Sequence, residues 1–264
     1  MKKLILTTLT MLGISSAAVA APPVKTVLFV LTGVDYITSW SGTRHKTGYW
    51  LEEFSVPYQI MAGSGVQVTI ATPNGNRPAA DPSSIAIDKT GKPVYWESRE
   101  KYLEAMKLKS TVLDHGPIYS LSRLNKNGLD NFDAIFFPGG HAPMEDLAVN
   151  PDVGKALRYF HQKGKPTALV CHGPIALLST VDGKSFPYHG YRVTAFSNSE
   201  EKGSELGKYL ITTPETALRA AGAVYVKGPD WSSNIVEDRE LITGQNPASS
   251  KAIAEALLRR LSHE

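Results

Sequence analysis

The chain has 264 residues, with 28 Lys and Arg against 25 Asp and Glu, a formal net charge of +3 and a single cysteine. One cysteine excludes an intramolecular disulfide framework, and the near balance of charge leaves no basic excess of the kind that binds nucleic acid or an anionic membrane surface. The length suffices to bury a full core as one α/β domain with an insertion.

Lys2 and Lys3 precede an apolar run from Leu4 to Ile14 and the small residues from Ser15 to Ala20. This order is that of a Sec-type signal peptide with cleavage expected after Ala20, and the run is shorter than the ~20 residues that span a bilayer. The mature chain, residues 21–264, is therefore expected in the periplasm or outside the cell, with no membrane association after cleavage. Without Lys2 and Lys3 the formal charge falls from +3 to +1. An unpaired thiol in an oxidising compartment is easily lost, so Cys171 is either buried or used.

Val24 to Thr32 (VKTVLFVLT) is apolar and β-branched, which predicts a buried first strand. A polar loop follows from Gly33 to Lys46. A helix is expected from Thr47 to about Ala62, ended by Gly63, Ser64 and Gly65, and then a strand from Val66 to Thr72. The stretch 74–129 is long, polar and rich in Pro, Asn and Asp, with short helices expected near Glu97–Lys107 and Ser120–Leu124. It is too long for a simple connection and reads as an inserted cap bordering a site. Trp96, Tyr102 and Tyr119 are its candidate pocket walls, although packing is the commoner role for such residues.

Phe132 to Phe137 resumes the sheet and runs into Pro138-Gly139-Gly140-His141. Helix Pro151–Lys163, strand Thr167–Val170 and a helix after Cys171 continue the alternation. Tyr191–Phe196 and Ala223–Val226 read as further strands around a helix from Pro214 to Ala221. Asn234–Thr243 reads as an antiparallel hairpin turning at Asp238-Arg239, and Ser249–Leu261 as an amphipathic last helix. Repeated βαβ units predict an α/β fold with a mainly parallel sheet and helices on both faces.

In such a sheet, ligands bind at the carboxyl ends of the strands. Cys171 is expected there, at the sharp turn between a buried strand and a helix, where free backbone N–H groups would stabilise a thiolate and lower its pKa. The turn resembles a nucleophile elbow with Cys in the place of Ser. The amides of Gly140 and His172 are the natural oxyanion donors, Gly139 shapes the same turn, and His141 either lines the pocket or closes the turn. Glu52 and Glu53 begin the first helix at this edge; their side chains project about 100° apart, so only one is expected to face the site. His172 can orient or deprotonate the thiol, but adjacent side chains usually diverge, so proton transfer to substrate is its expected work, oriented by Glu200 or Glu201. No metal site is expected, because His45, His115, His161, His189 and His263 lack ligand spacing, and no phosphate-cradling glycine loop occurs.

Lys46-Thr47-Gly48 with Glu53 and Pro57-Tyr58, the run Phe136 to His141, the run Ala168 to Pro174, Glu200-Glu201 and the run Leu241 to Ser249 together resemble the ThiJ/PfpI superfamily. The match is to the branch of heat-shock-type chaperones and glutathione-independent (type III) glyoxalases, a relative of class I glutamine amidotransferases. The resemblance implies a flavodoxin-like α/β sandwich with Cys171 as nucleophile, Glu53 hydrogen-bonded to it, His172 beside it, and Glu201, by register from Phe196, as the acid that orients the histidine. It further implies a homodimer and cofactor-free conversion of methylglyoxal or a similar 2-oxoaldehyde to a 2-hydroxy acid. A holdase chaperone or protein deglycase, and a cysteine amidase or peptidase, are the alternatives.

Overall fold

The computed structural model describes residues 24–262. The segment read as a signal peptide lies outside them, as does His263. No described helix is long and apolar enough to cross a membrane.

The apolar runs fold as strands β1 (Thr26–Val30), β4 (Gln67–Thr72), β6 (Ala134–Phe137), β7 (Thr167–Val170) and β11 (Leu241–Gly244). With β10 (Ile235–Asp238) and the short β5 (Tyr119–Ser120) they make a seven-stranded sheet in the order β10-β11-β7-β6-β1-β4-β5. All neighbours are parallel except the β10–β11 hairpin. A strand covered on both faces must be apolar at every position, and β1, β6 and β7 are buried almost throughout.

The pleat divides their side chains between two cores. Leu28, Val30, Ile135, Phe137 and Leu169 pack beneath α3 (Leu121–Asn127) and α4 (Pro151–Lys163). Val27, Phe29, Phe136, Ala168 and Val170 pack beneath α1 (Leu51–Gly63), α2 (Arg99–Leu108) and α7 (Ser250–Ser262). Helix α4 begins and ends where the sequence places it. The Asn150 side chain accepts from the amides of Asp152 and Val153, Pro151 occupies the first turn, and Gly164 closes the helix in a left-handed conformation.

Four expectations need correction. Residues Thr47 to Trp50 are not helical: Tyr49 N donates to Ala79 O at 2.9 Å and Asp81 N to Tyr49 O at 2.8 Å, so this stretch is extended and α1 starts at Leu51. The loop 33–46 contains a small hairpin, β2 (Tyr36–Thr38) against β3 (Arg44–Lys46). The helix after Cys171 is a 3₁₀ helix, Gly173–Thr180. Finally, Tyr191–Phe196 and Ala223–Val226 contribute only β8 (Arg192–Val193) and β9 (Val224–Tyr225), paired apart from the main sheet. The amides of the first segment are spent elsewhere: Arg192 N on Asp238, Thr194 N on Thr243 Oγ1, and Phe196 N on the Cys171 carbonyl.

Between them lie α5 (Asn198–Gly203) and α6 (Pro214–Ala220). Within 74–129, β5 pairs with β4 at the sheet edge and α3 packs on α4, while Pro82, Ser83 and Tyr95 border the cavity described below.

Phe29 stands at the centre of the second core, fully buried, 4.6 Å from Phe136 and edge-on to Phe54 and Tyr58. Phe29→Ala is expected to cost about 3–5 kcal/mol, read as a lower denaturation midpoint in urea.

Candidate active site

Strands β6 and β7 are parallel neighbours with Phe137 opposite Leu169, so the loops that follow them emerge side by side at the carboxyl edge. The first loop is Pro138-Gly139-Gly140-His141 and the second is Cys171-His172. Cys171 has φ 60°, a left-handed conformation that costs a non-glycine residue about 1–3 kcal/mol. Two hydrogen bonds hold it there, Cys171 N to Gly244 O at 2.9 Å and Phe196 N to Cys171 O at 2.8 Å.

This bend overturns the expected divergence of neighbouring side chains, since Cys171 Sγ lies 3.2 Å from His172 Nδ1. The other ring nitrogen, His172 Nε2, lies 2.8 Å from Glu201 Oε2, and the ring stacks on Phe196 at 4.6 Å. Cys171, His172 and Glu201 thus form a buried triad.

Adjacent carboxylates on α5 take different work because they leave the helix in different directions. Glu200 is turned into the protein. It accepts from the Ser197 amide and hydroxyl, Gln245 Nε2, Asn246 Nδ2 and the Trp231 amide, and forms a capping box with Ser197. Glu201 is turned to the site. Its Oε1 takes Ser204 Oγ at 2.6 Å and meets His141 Nε2 at 2.9 Å, so one carboxylate serves two histidines whose rings are 4.1 Å apart.

Glu53 reaches the thiol from α1 and is completely buried. Its Oε2 accepts the Gly139 amide at 2.7 Å, and Trp50 N donates to Gly139 O at 3.1 Å, tying the start of α1 to the glycine loop. A Cβ on Gly139 would lie 2.7 Å from His172 N and 2.8 Å from Glu53 Oε2. Gly140, at φ 92°, passes so close to the chain before α1 that a Cβ would lie 2.3 Å from Gly48 O. These two positions admit glycine alone because backbone and carboxylate already fill the space. The Gly140 amide donates toward Cys171 Sγ. Among the described residues, neither it nor the His172 amide donates to an oxygen.

The electrostatics differ from the expected low thiol pKa. Burial, and then the Glu53 charge beside it, push Cys171 up, which outweighs the Gly140 amide. Burial also raises Glu53 well above the carboxylate range, against the Gly139 amide on Oε2, while Oε1 is sealed from solvent without a hydrogen-bond partner. The pair therefore carries one negative charge at most. Burial opposes ionisation of Glu201 as well, yet the facing His172 and the hydrogen bonds from both histidines hold it well below the usual carboxylate range. His172 is pushed down, by burial first and then by neighbouring His141.

Cys171, His172, His141 and Gly140 border a cavity of about 680 Å³. Its walls are Trp50, Tyr95, Phe196 and Trp231, and its charged rim includes Lys46, Glu52, Asp81 and Glu205. Glu52 borders the cavity at its rim, whereas Glu53, wholly buried beside the thiol, does not line it. Trp96, Tyr102 and Tyr119 do not line this cavity. Trp96 and Tyr102 hydrogen-bond the carbonyls of Ser84 and Ile85. The wall residue Trp231 was missed, and no local pattern announces it: it sits at φ 59° with its amide on Glu200. Possible ligand atoms of His141, His172 and Glu201 lie within 4.8 Å of one another, a grouping of metal-ligand type that the sequence reading did not weigh. The hydrogen bonds between them already pair these atoms.

Residues 46–260 match the DJ-1/PfpI family. The chain is 29% identical over 232 residues to the glutathione-independent glyoxalase hsp3102 of Schizosaccharomyces pombe, covering 82% of this chain and 90% of that one. It is 25% identical over 240 residues to the protein/nucleic acid deglycase HchA of Staphylococcus aureus, covering 87% and 77%. Among solved structures, glyoxalase III of Candida albicans superposes with a TM-score of 0.67 at 23% identity over 89% of this chain and 97% of that one, a likeness of fold.

Burial, with a smaller contribution from the Glu97 charge and against that of Lys101, pushes Glu52 up to about 7. A carboxyl whose folded pKa lies above its unfolded value of 4.5 costs stability once the pH passes 4.5, with the full cost reached above about 7. Glu52→Gln is accordingly expected to raise stability at pH 8 by about 1–3 kcal/mol and to leave it unchanged at pH 4, measured by urea denaturation at both values.

Proposed function

The chain belongs to the DJ-1/PfpI family, and we propose that it is a glutathione-independent glyoxalase that converts a 2-oxoaldehyde to a 2-hydroxy acid through a covalent bond to Cys171. The observation that carries this reading is the thiol at the cavity floor, set between His172 and the buried carboxyl of Glu53, with the amides of Gly140 and His172 beside it.

A thiol suits both ends of the reaction, because it adds readily to aldehydes and departs readily from a thioester. The proton of Cys171 passes to His172 as sulfur attacks the aldehyde carbon. The resulting imidazolium is stabilised by the ionised Glu201, 2.8 Å from Nε2. The carbonyl oxygen becomes an oxyanion between the two amides and is then protonated to a hemithioacetal. Moving the hydrogen of the aldehyde carbon to the neighbouring carbon through an enediol leaves a thioester. Water then releases the 2-hydroxy acid and restores the thiol. The internal redox change balances without a cofactor, since the aldehyde carbon is oxidised as the ketone carbon is reduced.

The size of the cavity supports a second reading. About 680 Å³ lies within the 300–1,000 Å³ of sites for drug-sized ligands, far more than a three-carbon oxoaldehyde fills. A deglycase acting on the carbonyl adduct of a larger molecule would use the same thiol and fill the aromatic walls. Export with cleavage after Ala20 and pairing into a homodimer belong to the same proposal, to be tested by N-terminal sequencing of the exported protein and by light scattering.

Cys171→Ala is expected to lower glutathione-free consumption of methylglyoxal by at least about 10³-fold, followed by the appearance of D-lactate. Turnover that survives the substitution would overturn the covalent route. Release of the unmodified amine from a methylglyoxal-treated peptide faster than free methylglyoxal is consumed would favour the deglycase.

A further inference from the structure

The glyoxalase reaction needs two proton acceptors: one for the thiol, and one for the hydrogen on the aldehyde carbon. His172 is committed to the first task at both nitrogens, Nδ1 facing Sγ at 3.2 Å and Nε2 facing Glu201 at 2.8 Å. Glu53 does not line the cavity: it is wholly buried, with Oε2 on the Gly139 amide and Oε1 sealed from solvent without a partner.

One imidazole on the cavity wall remains. His141 is anchored by Nε2 at 2.9 Å from Glu201 Oε1. Its Nδ1 has no hydrogen-bond partner among the described residues and is not among the atoms sealed from solvent. The residue follows Gly140, whose amide points at Cys171 Sγ, and its ring lies 4.1 Å from that of His172. With Nε2–H donating to Glu201, the other nitrogen carries a lone pair on the side open to the cavity. A carboxylate that fixes the tautomer and orientation of an imidazole is the arrangement used to prepare a general base.

We propose that His141 is the catalytic base and acid of the hydrogen transfer, and that Glu201 orients two histidines for two successive steps. The inference rests on the glyoxalase reading above. After Cys171 has bonded to the aldehyde carbon, His141 Nδ1 takes the hydrogen of that carbon as a proton. The electron pair left behind forms the carbon–carbon double bond, and the π pair of the neighbouring carbonyl moves onto its oxygen. The hydroxyl proton of the hemithioacetal passes to that oxygen, His141 returns its proton to the adjoining carbon, and the thioester remains. No hydrogen or electron is gained from outside.

Pairing both histidines with one carboxylate also sets the order. The two rings lie 4.1 Å apart, so a proton held on one opposes a proton on the other. Once His172 has given that proton up, His141 is free to accept one.

The test compares the parent protein with His141→Gln and His141→Asn, using methylglyoxal as the substrate and iodoacetamide as a probe of the thiol. Both variants are expected to lose about 10²–10⁴-fold in kcat. They should keep the parent's alkylation rate at Cys171 within about twofold and accumulate the methylglyoxal adduct on Cys171, seen by mass spectrometry. Added imidazole should restore part of the turnover of His141→Ala. Retained kcat would overturn the proposal. Loss of alkylation in step with kcat would also overturn it, because His141 would then act only by placing Glu201 and His172. A parent protein with no turnover of methylglyoxal would instead sink the glyoxalase reading, and this inference with it.

Discussion

The geometry of the site depends on one strained residue. Cys171 adopts φ 60° between two clamps, the Gly244 carbonyl at the end of β11 and the Phe196 amide. Neither clamp is local in sequence, and without them an L-residue would relax to an extended or right-handed conformation. The bend turns two consecutive side chains toward each other, which a strand or a helix would separate. It also directs the thiol at the Gly139-Gly140 turn, whose closeness to Gly48 and Trp50 brings in α1 and with it Glu53. The main sheet and the first helix thus meet at a single sulfur atom.

Two buried carboxyls flank that sulfur, and their surroundings drive them apart. Glu53 has the Gly139 amide alone on Oε2, too little to offset the loss of water, so its pKa is driven up. Glu201 has two histidines and a serine hydroxyl, so it stays ionised. One carboxyl is thus pushed up beside the thiol, and the other stays charged behind His172 as a fixed counter-charge. Glu200, equally buried beside Glu201, shows that burial alone assigns no role. Five donors are spent on it, and its effect on the cavity is to hold the backbone of Trp231 and the amide of Asn246.

Much of this was legible beforehand. The apolar runs of β1, β6 and β7 have no amphipathic period because both faces of the sheet are covered, and that absence already identifies a parallel sheet. Asn150, Pro151 and Gly164 mark α4 to the residue because caps act through bonds to the nearest few residues. Less was legible where bonds run to distant partners. Residues 191–196 are as β-prone as any strand, yet their amides go to Asp238, Thr243 and Cys171. Choosing Glu201 over Glu200 rested on register and family resemblance, since neighbouring glutamates in a short helix are equivalent until their partners are known. The thiol's pKa was misjudged because the N–H groups of the turn are local, whereas the burial that outweighs them is not.

By itself, the sequence determined the elements and where the chemistry would collect. Alternating strands and helices, glycines after β6 and a lone cysteine after β7 place the reactive groups at the carboxyl edge of a parallel sheet, because strand direction and pleat follow from local pattern. Only the tertiary structure decided which of those groups share protons. The pairing of Glu201 with both His141 and His172 and the burial of Glu53 against the Gly139 amide depend on contacts across 60, 29 and 86 positions of chain for His141–Glu201, His172–Glu201 and Glu53–Gly139. Distances of that kind, and the loss of solvent that comes with them, arise only when the chain is folded, and they set the electrostatics of the site.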